Sequence, residues 1–143
     1  MKKKNKTVIF PKAKIVGKRN WGKEKLIALI PKKISLKLLK INKGSKGGLQ
    51  YHHKKDECGY ILSGKLQINY DSGNKILKKK ILKKGDTFYF PQGAVHQEIA
   101  LTDVTILEAS TPYFNDRVRV EKLYGLKNEG GLKSTRKKDV YIR

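Results

Sequence analysis

The chain has 143 residues, of which 34 are Lys or Arg and 12 are Asp or Glu, giving a formal net charge of +22 at pH 7. This length suits one domain with a real core, and 38% apolar residues exclude a disordered chain. The single cysteine, Cys58, excludes an internal disulfide and fits a reducing, cytoplasmic setting. Cys58 itself is expected to pack as a small hydrophobe.

Taken in chain order, residues 1–18 read as a basic N-terminal arm with an extended Thr7 to Phe10 closed by Pro11. Its apolar run is too short for a signal-peptide core, and no later stretch approaches a membrane span. The apolar run Leu26 to Ile30 stops at Pro31, and Ile34 to Ile41 alternates as a half-buried strand. Asn42 to Gly48 is a turn cluster without the spacing of a phosphate-binding loop. Further strands are expected over Gly59 to Leu62, Leu66 to Tyr70, Ile76 to Leu82, Thr87 to Phe90, Val95 to Leu101 and Val104 to Ala109. Asp71 to Asn74 has the residue choice of a hairpin turn. Val118, Val120 and Leu123 mark a last extended piece, and residues 126–143 form a basic C-terminal tail. Many short strands between Gly and Pro turns, with no helical period, predict an all-β single domain over 19–125. Its architecture is a small antiparallel β-barrel or jelly roll.

A charge of +22 ordinarily suggests nucleic acid or an anionic surface as partner. Only five of the 34 basic residues are Arg, however, the side chain that forks onto bases and phosphates. The lysines are dispersed, and no nucleic-acid-binding motif accompanies them. The charge therefore reads as a solvated surface that draws in anionic metabolites, with no specific nucleic acid and no membrane as partner.

The chemistry-bearing stretch is Gln50-Tyr51-His52-His53-Lys54-Lys55-Asp56-Glu57, completed by His96. Imidazole with carboxylate is the usual ligand set for Zn, Fe, Mn or Ni. Alternation along a strand points Gln50 and His52 the same way, and a turn over His53 to Asp56 returns Glu57 to that face. If His96 arrives from another strand, Gln50, His52, Glu57 and His96 surround one divalent ion. The competing reading is a Lys-rich surface loop.

Two spaced patterns carry a resemblance. Gly44-x5-Gln50-x-His52-x4-Glu57-x6-Gly64 and Gly85-x5-Pro91-x-Gly93-x2-His96-x3-Ala100 resemble, in order, the two motifs of the cupin superfamily (44–64 and 85–100). Gln50 stands where the first motif has its first His, and Ala100 where the second ends in Asn. The likeness covers roughly Ile34 to Ser110 and implies the cupin jelly roll. Within it, Leu49-Gln50-x-His52-His53 with Glu57 looks like the small cupin domain of phosphomannose isomerases, where Gln, His, Glu and a distant His hold a metal, commonly Zn. Asn20-Trp21-Gly22-Lys23-Glu24 and the segment around Asp116-Arg117-Val118-Arg119 are similar to flanking parts of that group. Gly59 replaces its Trp, which predicts a widened or reshaped pocket.

The resemblance implies a metal-dependent aldose–ketose isomerase acting on an anionic sugar of the mannose 6-phosphate type. His53, Lys55 and Glu98 are the acid/base candidates by nearness in sequence, whereas alternation turns Tyr60 away from the barrel. Lys55, Arg117 and Arg119 are candidates for the substrate's anionic group. The alternatives are a cupin binding module without catalysis and an Fe-dependent cupin dioxygenase. A homodimer is expected, formed by Thr7 to Phe10 adding to a partner's sheet edge.

Overall fold

A computed structural model describes residues 6–128. Its strands are β1 (Lys14–Arg19), β2 (Gly22–Ile30), β3 (Ile34–Ile41), β4 (Gln50–His52), β5 (Glu57–Ser63) and β6 (Leu66–Asp71). They continue as β7 (Leu77–Leu82), β8 (Thr87–Phe90), β9 (His96–Ala100), β10 (Val104–Ser110) and β11 (Arg117–Arg119). The strands form two antiparallel sheets, ordered β1-β2-β3-β10-β5-β8 and β11-β4-β9-β6-β7. This is the jelly-roll architecture expected from the turn spacing. No helix among the described residues is long and apolar enough to cross a membrane.

The period of two decides which side chains meet between the sheets. Along β10, every second residue from Val104 to Ser110 is buried, and β5 buries Glu57, Gly59 and Ile61 in the same rhythm. The inward set closes a core of Trp21, Leu39, Ile61, Leu66, Phe88 and Ile106, together with neighbours from both sheets. Ile61, Leu66 and Ile106 are fully enclosed, each contributing about 1.5–3 kcal/mol by leaving water. The motif glycine Gly64 has φ +87°, and a Cβ there would lie 2.0 Å from the Asp103 carbonyl oxygen, so only glycine fits this corner.

Several expectations need correction. Thr7 to Phe10 belongs to no strand and is exposed; the chain joins the sheet at Lys14, inside the expected arm. Cys58 is exposed, because its strand turns Glu57 and Gly59 inward and leaves Cys58 on the outer side. The last extended piece is short: Arg117–Arg119 pairs with β4, but Glu121–Tyr124 winds into a 3-10 turn closed by Gly125 at φ 70°. Tyr124 donates to Asp71 and ties this turn to β6. The expected tail lies outside the described residues beyond Asn128.

Candidate metal centre

At one end of the core a cavity of about 110 Å³ opens, lined by polar side chains from both sheets. Its floor is set by register. Gln50 on β4 lies directly opposite His96 on β9. His52 shares Gln50's face of β4, and the turn over 53–56 delivers Glu57 to the start of β5 facing inward. His52, Glu57 and His96 are all buried, and one ligand atom from each lies within 4.8 Å of the others. The Nε2 atoms of His52 and His96 stand 3.1 and 3.6 Å from the same carboxylate oxygen of Glu57.

The outer nitrogens fix the orientation of both rings. His96 Nδ1–H donates to the Ala94 carbonyl oxygen at 2.9 Å, and Phe90 stacks on the ring with centroids 3.9 Å apart. His52 Nδ1 faces Asp116 Oδ1 at 3.1 Å, while Oδ2 of Asp116 accepts the backbone N–H groups of Lys54 and Lys55. Both Nε2 atoms are thereby turned toward Glu57. Burial would raise the Glu57 carboxyl, but Lys55, His52 and His96 hold it well below the usual carboxylate range. Burial pushes His96 down to about 4, so this imidazole is neutral at physiological pH. Gln50 Oε1, which lines the same cavity as a residue, is buried without a hydrogen-bond donor. Two ring nitrogens, a carboxylate and an amide gathered at one cavity are a donor set that a cation can satisfy. The His–Glu–His cluster therefore suits a divalent metal.

A second layer of charge surrounds these atoms. Lys55 Nζ lies 3.4 Å from Glu57 and 3.8 Å from Glu108. Burial lowers the Lys55 ammonium, but the Glu57 and Glu108 carboxylates outweigh it and raise its pKa. Burial and the Glu57 charge push Glu98 up to about 8 and Glu108 up to about 7. Lys37, on the inward face of β3, pairs with Glu24 at 3.7 Å and is lowered by burial.

Lys55, Glu98 and Arg117, named from the sequence, all line the cavity. His53 does not: it is exposed, because the chain leaves β4 after His52 and the next residue turns outward. Arg119 is engaged elsewhere, its guanidinium bonded to the buried carboxylate of Glu121 at 2.6 and 2.9 Å. Gly59 does not widen the cavity either. A Cβ at Gly59 would lie 2.3 Å from the Phe88 ring, which fills the space. Asp116, Glu108, Glu24 and Lys37 were missed as site residues. The only signal for Asp116 was its place in the segment before Arg117.

The model of the cupin domain matches residues 37–109. The chain belongs to the cupin family. No curated protein sequence matches this cupin, but solved structures do. It is similar to KdgF from Halomonas sp., with 22% identity, 72% of this chain and 89% of that chain covered, and a TM-score of 0.61. It also resembles the capsular polysaccharide assembling protein CapF from Staphylococcus aureus, with 18% identity, 78% and 32% coverage and a TM-score of 0.66. A third is oxalate decarboxylase from Bacillus subtilis, which has Mn(II) centres, with 19% identity, 74% and 30% coverage and a TM-score of 0.59. This cupin thus spans most of the KdgF chain but 32% and 30% of the other two. At these identities the likeness is one of fold.

Proposed function

We propose that this cupin is a divalent-metal-dependent aldose–ketose isomerase acting on an anionic sugar of the mannose 6-phosphate type. One observation carries the reading. The Nε2 atoms of His52 and His96, the Glu57 carboxylate and the orphaned Gln50 oxygen belong to residues of one small cavity, alongside Glu98 and Glu108, whose carboxyls burial pushes up toward neutrality. In this reading His52, Glu57 and His96 hold the ion, with Gln50 as the fourth protein donor. When bound, a divalent cation supplies Lewis acidity toward a carbonyl or hydroxyl oxygen.

The remaining work falls to the chain's own side chains. Isomerisation removes a proton from one carbon and returns one to its neighbour. Glu108, raised to about 7, is partly ionised at neutral pH and is the proposed base. Glu98, raised to about 8, keeps its proton and donates it to the substrate oxygen. Lys55 bridges Glu57 and Glu108 and holds the base in place. Arg117, on the cavity wall, pairs with the anionic group.

The test is turnover by the metal-loaded protein in deuterated water with mannose 6-phosphate as substrate. Ketose should form with solvent deuterium at the carbon that gains a proton, and His96→Ala should abolish both metal retention and turnover. Absence of ketose from mannose 6-phosphate and from the other aldose phosphates would sink the reading. Oxygen consumption in its place would indicate a dioxygenase.

A further inference from the structure

Two buried polar features of the barrel have no part in the metal centre. Of the described lysines Lys37 alone is buried, its side chain 4% exposed on the inward face of β3. Its Nζ lies 3.7 Å from the carboxylate of Glu24 on β2, itself buried, and 5.0 Å from the centre of the Phe114 ring. Lysine is almost never enclosed unless paired, and an ion pair stabilises a core no better than apolar side chains of similar volume. Packing alone therefore gives no reason for Lys37 and Glu24 here. The second feature is Trp21, in the two-residue turn between β1 and β2. The indole is 8% exposed, and its Nε1–H is buried with no acceptor among the described residues. An unmet donor in a core costs stability, yet the backbone holds the ring in place. The Trp21 carbonyl oxygen accepts the Asn42 N–H at 2.7 Å. Gly22, at φ +147°, lies so close to β3 that a Cβ would stand 1.8 Å from the Lys40 carbonyl oxygen.

Trp21, Glu24 and Lys37 all line the cavity that carries the metal centre. They reach it from the six-stranded sheet, on β2, β3 and the turn before them, whereas Gln50, His52 and His96 reach it from the five-stranded sheet. The cavity thus has a second pole, with two N–H donors, a carboxylate acceptor and an aromatic ring. We infer that Trp21, Glu24 and Lys37 form a hydroxyl-binding subsite for the carbon chain of a sugar phosphate. Trp21 Nε1–H and Lys37 Nζ donate to substrate oxygens, and Glu24 accepts from a substrate hydroxyl. The ion pair decides between a hydroxyl and a second anion. Donor and acceptor side by side suit a hydroxyl, which accepts from one and donates to the other, whereas an anion would meet the Glu24 carboxylate. The subsite rests on the proposed function for its class of ligand, a sugar phosphate, and not on isomerisation.

The probe is mannitol 1-phosphate, which has the hydroxyls and phosphate of a hexose phosphate but no carbonyl to react. Trp21 is the only tryptophan, so its emission reports on this pole. Titrating the full-length protein should change that emission saturably, while inorganic phosphate leaves it unchanged. By calorimetry, Lys37→Met should weaken mannitol 1-phosphate about 10- to 100-fold and Trp21→Phe about 3- to 10-fold, the sizes of a charged and a neutral hydrogen bond. Glycerol 3-phosphate, with the same phosphate on a shorter chain, should lose much less, so the preference for the long chain shrinks; a purely structural role would weaken both ligands alike. Lys37→Met leaves Glu24 buried without its ion pair. Lys37→Met combined with Glu24→Gln removes both charges and should melt near wild type with the same loss of preference. An emission unmoved by mannitol 1-phosphate, or moved equally by inorganic phosphate, would overturn the subsite, as would variants that keep the wild-type preference. Binding of mannitol 1-phosphate without ketose from mannose 6-phosphate would leave the subsite standing and remove the isomerase. Ketose formed at wild-type kcat/KM by the double variant would do the reverse.

Discussion

His52 Nδ1 and Asp116 Oδ1 meet at 3.1 Å across 64 residues of chain, so the orientation of one ring is set by a residue at the start of the neighbouring strand, distant in sequence. The same carboxylate accepts the backbone N–H groups of Lys54 and Lys55, which fixes the turn that brings Glu57 inward. Asp116→Ala therefore releases both the ring and the turn. A partner that orients a ligand typically contributes 10- to 100-fold in affinity. Isothermal titration with Zn should show a loss of about that size, while Asp116→Asn, which keeps an acceptor for the ring, loses less. An unchanged affinity in Asp116→Ala would remove Asp116 from the site.

Gln50 makes a prediction with two signs. Its buried oxygen has no donor in the metal-free protein, and an unsatisfied acceptor costs about 1–3 kcal/mol. Gln50→Leu removes that penalty, so the chelator-treated variant should unfold at a higher temperature than wild type. The same change deletes a ligand atom, so the further rise in melting temperature on adding metal should shrink. A variant that is less stable without metal and equally stabilised with it would show that Gln50 is a packing residue only.

Glu98 gives the metal-free protein a pH dependence. Its folded pKa, pushed up to about 8, lies above the ordinary glutamate value of 4.5, with burial as the main cause and the Glu57 and Glu108 charges adding to it. The folded state therefore holds a proton that the unfolded chain has released. The stability from this group is complete below about pH 4.5 and lost as pH rises through about 8, by at most about 1.4 kcal/mol per pH unit. Glu98→Gln cannot ionise. In urea unfolding of chelated protein, the variant should gain on wild type steadily from pH 5 to pH 8. A constant difference across that range contradicts the assignment.

Gly59 and Phe88 are register partners on β5 and β8, and the ring occupies the volume a side chain at Gly59 would need. Gly59→Ala forces the ring to move, and overpacking of this kind costs about 1–3 kcal/mol. Adding Phe88→Leu should recover part of that cost, giving a favourable coupling energy in a double-mutant cycle. Strict additivity would mean that the two positions do not compete for space.

The sequence was most legible where one physical signal acted alone. Ile34–Ile41 and Thr87–Phe90 are strands over the residues expected, since alternation and flanking turn residues agree there. The gathering of Gln50, His52, Glu57 and His96 was also legible, because two spaced motifs had to meet if the chain formed a closed sheet pair. Glu108 lies within the strand expected over Val104 to Ala109, where alternation alone does not tell an acid on the inward face from one on the outward face. Asp116 was hidden for another reason: its role depends on β11 lying against β4, a pairing that no local pattern encodes. Leu123 was misplaced because apolar residues at 118, 120 and 123 fit an extended piece as well as a strand followed by a tight turn.

Strand β10 gives Glu108 to the cavity and Leu107 and Ala109 to the outer sheet face. A single layer of peptide thus divides the chemistry from the surface, with no intervening structure to insulate either. A slip of one residue in its pairing with β3 or β5 would put a carboxylate outside and leucine in the polar cavity. Evolution can remodel one side of this wall only through substitutions that leave its phase untouched.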